Sequence, residues 1–381
     1  MWHFVLLIAC AVAIYLSCEW FVNAVEWLGR RLNVGKMAVG TVLAAFGTAL
    51  PESVVTLVAV TTGDGERGKD IGVGAAMGGP LALATVAYAV TGATLLWTRR
   101  TRARAQLAAV TATAGSTGST GSAGSAASGT GAPLADGPDR NPGRPGAAAN
   151  EVLTDPAEAA RLAKDQRWFL AVFVFKVALG LVAFAVKPWL GLLFFAVYAV
   201  YFWREMTGGD RDGDGDAVED DLEPLKLQPG RESPAAWAVA AQTLATLTVI
   251  FFASQLFVHQ LDAIGPMIGL PAAVTALLLS PVATELPEIM NAVIWVRQGK
   301  TSLALANISG AMMIQATVPS GLGLLFTPWK FDHALMWSGA MTMVAIVYLL
   351  ATLRAHRLTP ARLAWTGVLY LVFAAGLVVI L

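Results

Sequence analysis

The chain has 381 residues, 56% of them hydrophobic and only 14% charged, and its 26 Lys+Arg balance 26 Asp+Glu. Its mean hydropathy is +0.61. A soluble domain carries about a quarter charged residues, so this composition excludes a chain whose whole surface faces water, and zero net charge gives no sign of nucleic acid as a partner.

A membrane-spanning helix needs about 20 mostly apolar residues. Ten stretches qualify, at about 3–28, 37–62, 71–97, 168–186, 188–204, 235–260, 267–296, 302–327, 333–353 and 362–381. The first begins at Met1-Trp2-His3-Phe4 with no basic leader, which reads as a retained span. It holds the two cysteines, Cys10 and Cys18, roughly 12 Å apart along a helix, too far for a disulfide. No zinc spacing occurs.

The expected organisation is spans one to three in 1–104, a flexible linker at 105–166, spans four and five in 167–206, an acidic loop at 207–234, and spans six to ten in 235–381. The linker reading rests on Gly, Ser, Ala and Pro, which bury little apolar surface. The loop is rich in Asp and Gly and reads as solvated.

Lys and Arg favour the cytoplasmic side of short loops. The loops after odd-numbered spans hold Arg30, Arg31, Lys36, Arg297, Lys300, Arg354, Arg357 and Arg362. Those after even-numbered spans hold Arg67, Lys69, Lys187 and Lys330. Odd loops are therefore expected inside, both termini outside, and the linker and the acidic loop in the cytoplasm. With five spans per half, the second half is inserted upside down relative to the first.

The halves also match in sequence. Phe46-Gly47-Thr48-Ala49-Leu50-Pro51-Glu52 pairs with Val282-Ala283-Thr284-Glu285-Leu286-Pro287-Glu288, an offset of 236. At the same offset Phe21-Val22 pairs with Phe257-Val258, Glu26 with Asp262 and Gly29 with Gly265. Inverted repeats build many secondary transporters, with the site at the repeat interface near the midplane.

The chemistry of the repeated motif fits an ion site. A carboxylate at mid-membrane costs ~2.5–3.5 kcal/mol on the lenient insertion scale, so Glu52 and Glu288 call for a cation. The proline before each glutamate removes a helical hydrogen bond and frees a carbonyl, which is tolerated at that depth where it lines a cavity. Thr48 and Thr284, four residues before the glutamates, add hydroxyls on the same helix face. All are oxygen donors, of which a hard cation such as Ca²⁺ takes six to eight.

These residues resemble the α-repeats of the cation/calcium exchanger superfamily, whose pattern is roughly Gly-Thr-Ser-Leu-Pro-Glu followed by a span with Gly-Asn-x-x-Gly-Ser-Asn. Gly47–Glu52 and Ala283–Glu288 match the first element, and Ala306-Asn307-Ile308-Ser309-Gly310-Ala311 part of the second. The resemblance implies an all-α membrane protein of about ten transmembrane helices in two inverted five-helix repeats. It also implies alternating access and Ca²⁺ exchange against Na⁺ or another cation.

The sequence departs from the pattern in the first repeat, where Gly74-Ala75-Ala76-Met77-Gly78-Gly79-Pro80-Leu81 replaces the Asn and Ser. The polar group of the inner end falls on Leu83 there and on Gln315 in the second repeat. The serine before Leu-Pro becomes Ala49 in one repeat and the extra acid Glu285 in the other. Oxygen ligands thus shift towards the second repeat.

The expected cation ligands are Glu52, Glu288, Thr48, Thr284, Glu285, Asn307 and Gln315. Plainer roles stand beside these: Glu285 as a helix cap or a water-facing acid, the threonines bonding back to their own helices, and Asn307 and Gln315 joining helices. Glu19 is either a further intramembrane site or a helix-pairing residue, and His259 reads as interfacial. Asp210, Asp212, Asp214, Gly215 and Asp221 fit the offsets of a calcium loop, a pattern that Gly-Asp low complexity also produces. Metalloprotease, nucleophile-elbow and phosphate-loop motifs are absent, so no enzyme and no cofactor is expected.

The sequence reading is therefore a multi-pass antiporter of the inner (plasma) membrane, its partners the bilayer, Ca²⁺ and a counter-cation. The alternatives are Ca²⁺/H⁺ exchange and a passive cation channel.

Overall fold

The computed structural model describes residues 2–32, 45, 49, 52–53, 56–57, 60–61, 65–116, 152–153, 155–182, 186–208, 222–267 and 285–380. The regular structure among them is helical. We number the long helices α1 (Trp2–Arg31), α2 (Gly65–Ala82), α3 (Tyr88–Ser116), α4 (Pro156–Leu181), α5 (Leu190–Gly208), α6 (Ala236–Met267), α7 (Leu286–Arg297), α8 (Thr301–Phe326), α9 (His333–Arg354) and α10 (Pro360–Ile380). A π turn, Leu83–Ala87, joins α2 to α3 without a break, and a 3-10 turn, Lys187–Trp189, leads into α5.

The helix ends follow from local chemistry. Asp155 caps α4 by accepting from the Ala157 N–H at 2.8 Å, with Pro156 at the first helical position. Asp332 caps α9 by accepting from the Leu335 N–H at 2.8 Å. Arg30 and Arg31 end α1, and Arg354 ends α9, where cations suit the negative end of the helix dipole. The Thr366 hydroxyl of α10 donates to the Thr85 carbonyl of the π turn at 2.8 Å.

α8 is the central helix. It packs against α2, α4, α5 and α7, and 83% of its apolar window is buried, against 28% for α1 and 22% for α10. α1 and α6, the first helix of each repeat, lie along one another at the periphery. Gln242 of α6 pins them by donating to the Trp20 carbonyl at 2.8 Å and to Asn23 Oδ1 at 3.1 Å. The outward apolar side chains include Trp2, Trp97, Trp203, Trp237 and Val379. An exterior of this kind suits lipid, which demands that backbone polar groups be satisfied within each helix.

Six of the described helices are long and apolar enough to cross a membrane: Trp2–Arg31, Gly72–Thr101, Ala236–Ala253, Thr301–Phe326, His333–Arg354 and Pro360–Ile380. α4 and α5 cover the stretches expected as spans four and five. The expected spans at 37–62 and 267–296 lie largely outside the described residues.

Both expected connecting segments carry more structure at their ends than their composition suggested. α3 runs on to Ser116 because residues 105–110 are rich in strong helix formers such as Ala, Gln and Leu. α4 starts at Pro156, and Val152 and Leu153 are buried, with the Val152 N–H donating to the Leu358 carbonyl at 2.9 Å. The end of the acidic loop docks on α1 and α6: Leu225 is fully buried, and the Asn23 and Trp27 side chains donate to the Glu223 carbonyl at 3.2 and 3.0 Å. Leu225, with Leu222 packed beside it, supplies the apolar surface that the Asp-Gly run before them lacks.

Cys10 and Cys18 are buried free thiols. Glu19 pairs with Lys226 at 3.8 Å, and its side chain is 43% exposed, so it joins elements at the surface.

Gly92 shows how closely α3 and α10 approach. A Cβ there would stand 2.4 Å from the Ala364 nitrogen and 2.6 Å from the Pro360 carbonyl oxygen. Both are backbone atoms, so the helices must part. Gly92→Ala should cost about 1–3 kcal/mol and lower the melting temperature of the purified protein, whereas Gly74→Ala, with nothing within 4 Å of the added Cβ, should leave it unchanged or raise it. Equal melting temperatures would mean that the α3–α10 contact is loose.

Candidate cation site

α7 supplies the second-repeat motif. It is only 12 residues long and has Pro287 in its first turn, where the missing N–H breaks no helical bond. Glu285 holds the N-cap position, and Glu288 lies in the first turn. Acids suit this end of a helix, where free N–H groups and the dipole favour negative charge. The other end carries Arg297, with Lys300 just beyond it in an ion pair with Glu26 of α1. Glu288 stands nine residues before Arg297, about 14 Å along the axis, which is half the thickness of a hydrocarbon core.

This is a helix start inside the protein. Glu285 and Glu288 are both 0% exposed. Gln315 of α8 donates from Nε2 to Glu285 Oε1 at 2.5 Å. Asn307, two turns earlier on α8, points Nδ2 at the Glu288 carbonyl at 3.5 Å, a long contact. Glu285, Glu288, Asn307 and Gln315 thus lie along one seam between α7 and α8. Glu285 is neither a surface acid nor a side-chain cap: it is buried and bonded to Gln315.

The first repeat meets this seam through α2. A Cβ on Gly79 would stand 2.7 Å from Gln315 Oε1 and 3.1 Å from Glu285 Oε1. Gly79 and Gln315 are related by the same offset of 236 as Glu52 and Glu288. The first-repeat partner of Gln315 is therefore Gly79 rather than Leu83, which lies in the buried π turn. Gly79 leaves the room that Gln315 and Glu285 occupy.

Glu52 is 3% exposed. Thr48 and Thr284 lie outside the described residues, as do the acids of the 210–221 stretch.

Two buried polar residues on the motif helices were missed from the sequence. Thr56 follows Glu52 by four residues and Asn291 follows Glu288 by three, so each shares its glutamate's face. Among the described residues, Thr56 Oγ1, Asn291 Oδ1, Asn307 Oδ1 and Gln315 Oε1 have no hydrogen-bond partner. With the glutamates they make a set of hard oxygen donors of the kind that Ca²⁺ and Na⁺ take. No three acid, His or Cys side chains among the described residues form a metal-binding group. The i+3 and i+4 spacing from the glutamates is the signal that marks Thr56 and Asn291.

α4 carries a further set of buried polar groups inside an apolar span. Lys176 is 0% exposed and donates to the Ala76 carbonyl at 2.7 Å and to Ser320 Oγ at 3.1 Å. Gln166 donates to Tyr88 Oη at 2.7 Å and Ser309 Oγ at 3.2 Å. A lysine in the middle of such a span is legible as an intramembrane charge.

The profile of the sodium/calcium exchanger protein family matches residues 2–119 and 238–381. Among curated proteins, the inner membrane protein YrbG of Escherichia coli (strain K12) is 25% identical over 179 residues, 47% of this chain and 53% of that protein. The sodium/calcium exchanger MaX1 of Methanosarcina acetivorans is 28% identical over 132 residues, 35% of this chain and 37% of that protein. The matched region thus spans about half or less of the length of these relatives. Two solved structures of the sodium-calcium exchanger NCX_Mj, one soaked with 2.5 mM Na⁺ and 10 mM Sr²⁺ and one with 10 mM Na⁺ and zero Ca²⁺, share the fold at a TM-score of 0.65 and 15% identity, with 98% of both chains covered. The family profile covers helices of both halves of the chain, motif glutamates included, and the chain belongs to the sodium/calcium exchanger protein family.

Proposed function

We propose that the protein is a secondary active antiporter that exchanges Ca²⁺ for Na⁺ by alternating access, with Glu52 and Glu288 as the charged ligands. The observation that carries this reading is the burial of both glutamates at repeat-matched positions. Two such acids are stable in an apolar interior when a cation offsets them. Glu285, Thr48, Thr284, Asn307 and Gln315 complete the proposed ligand set, and Thr56 and Asn291 join it from their faces. No chemical step and no cofactor is required; the protein only binds, occludes and releases.

Ca²⁺/H⁺ exchange is the second reading, favoured by one specific feature. Glu285 places a third acid on the seam, while Gly79 removes a polar ligand that would hold Na⁺ from the first repeat.

The test is ⁴⁵Ca²⁺ flux into proteoliposomes under imposed Na⁺ or H⁺ gradients. Flux should saturate with Ca²⁺ and stop when the opposite face lacks an exchangeable cation. Flux that persists there and shows unitary currents would identify a channel, and acceleration by the proton gradient alone would identify H⁺ as the counter-ion.

Glu52→Gln and Glu288→Gln keep the shape and remove the charge. Each should reduce exchange at least about a hundredfold, the loss expected for a charged ligand in an apolar interior, while the protein still inserts and elutes as a folded particle. Wild-type flux in either variant would remove that glutamate from the ligand set.

The Lys and Arg bias places both termini outside and the 105–166 and 207–234 segments in the cytoplasm of a cell whose inner membrane holds the protein. A cysteine introduced at Ser119 should resist an impermeant thiol reagent in intact cells and react after permeabilisation. Labelling of intact cells would invert the topology.

A further inference from the structure

Lys176 sits where two proline-opened helices face one another. Pro80 has no N–H, so the Ala76 carbonyl, four residues earlier on α2, loses its helical partner. The Lys176 ammonium donates to that carbonyl at 2.7 Å. On α8, Pro319 opens the Gln315 carbonyl in the same way. Ser320 points its hydroxyl at that carbonyl at 3.5 Å and accepts from Lys176 at 3.1 Å. The ammonium also lies 4.7 Å from the centre of the Phe173 ring, within cation–π range. A carbonyl from the first repeat, a hydroxyl from the second and an aromatic face form a cage for a single positive charge.

Among the described residues Lys176 forms no ion pair with an acid. What connects it to an acid is Gln315. The Gln315 side chain donates to Glu285, and its carbonyl faces Ser320, the partner of Lys176. On α2, Ala76 lies three residues from Gly79, whose Cβ position is 3.1 Å from Glu285 Oε1. The lysine and the extra acid therefore stand at the two ends of one short polar strip, about a helical turn apart along α2.

We infer that the Lys176 ammonium is a fixed cation of the transport pathway, set against Glu285, so that the pathway meets Ca²⁺ with one negative charge fewer than its glutamates alone would give it. This rests on the exchange reading above. It explains how an added acid at 285 is compatible with release of the ion: a tethered charge that never leaves offsets it. Lys176 is a positioning and specificity-determining residue: its Nζ contacts protein oxygens, and it acts on the transported ion through its charge.

The sign of the effect distinguishes this role from a structural one. Removing a buried positive charge near a cation site tightens cation binding, whereas damaging the packing loosens it. The experiment is equilibrium ⁴⁵Ca²⁺ binding to the purified full-length protein in lipid nanodiscs, with flux measured in parallel. Lys176→Met and Lys176→Gln should bind Ca²⁺ about tenfold more tightly and turn over more slowly, as expected for a charge acting through the protein interior. Glu285→Gln should bind about tenfold more weakly, by the same Coulomb argument. Each double variant should bind Ca²⁺ more weakly than the Lys176 variant alone and more tightly than Glu285→Gln alone, and Lys176→Arg, which keeps the charge, should not tighten binding.

Weaker or unchanged Ca²⁺ affinity in the Lys176 variants would overturn the inference. So would loss of folding in those variants that Glu285→Gln does not rescue. Wild-type protein that binds no Ca²⁺ would overturn the exchange reading and this inference with it. Normal wild-type binding with Lys176 variants that bind Ca²⁺ no more tightly would overturn this inference alone.

Discussion

A carboxylate moved from water into an apolar interior loses hydration worth several kcal/mol after all relaxation, and the helices of this protein are arranged around two such groups on one short helix. Glu285 and Glu288 sit at the start of α7, where the positive end of the helix dipole lowers their cost. That arrangement requires α7 to begin inside the bundle. A helix that begins inside must be walled in, and α8 provides the wall: it runs past the start of α7, is buried on nearly every side, and presents Asn307 and Gln315 to the acids. The peripheral helices α1 and α10 can then be apolar on their outer faces, because the polar contents are enclosed by others.

Proline recurs in this scheme with two different effects. At Pro287 it occupies the first turn of a helix, costs no hydrogen bond and fixes where the helix starts. At Pro80 and Pro319 it lies inside a helix and opens a carbonyl one turn back. Those two carbonyls belong to Ala76 and Gln315, on the two helices nearest the acids, and one side chain, Lys176, reaches both neighbourhoods from α4. Sequence spacing distinguishes the two kinds of proline only once the helix start is known, because the residues before Pro287 are nearly as apolar as a helix interior.

The parts of the site that are legible in the sequence are those with a local signature. The repeated Leu-Pro-Glu marks Glu52 and Glu288, and the apolar length of the spans marks the helices. Glu285 and Gln315 are legible as polar residues in apolar surroundings, but not as a bonded pair, since 30 residues and a turn separate them. Gly79 carries no polar group to notice; it is found only by applying the 236 offset to Gln315. Lys176 is legible as one charge in an apolar span, but not as a partner of the α2 carbonyl and the α8 hydroxyl, which lie 100 and 144 residues away. The helical end of α3 and the docked end of the acidic loop are hidden by their neighbours: a Gly-Ser-rich run beyond Ser116 and an Asp-Gly run before Leu222 dominate the composition of segments whose edges are ordinary helix formers and leucines.

The two halves are related by a sequence repeat but are unequal in chemistry, and the inequality has a consistent direction. At the 236 offset Ala49 stands where Glu285 does, Val55 where Asn291 does, Ile71 where Asn307 does and Gly79 where Gln315 does, an apolar or small residue in each case. The second repeat therefore carries most of the proposed oxygen donors, and the first carries Glu52, Thr56 and space. A symmetric pair of repeats could hold a cation between equal partners. Here the α7–α8 seam forms a preassembled half-site, with Gln315 already bonded to Glu285, against which α2 closes with small residues. An added side chain at Gly79 would collide with that pair, so the loss of a polar group in the first repeat and the gain of an acid in the second are two sides of one geometric exchange. The only lysine buried to 0% among the described residues, Lys176, stands on α4 at the far end of the same strip, so a cation from outside both motif helices accompanies the acid gained at 285.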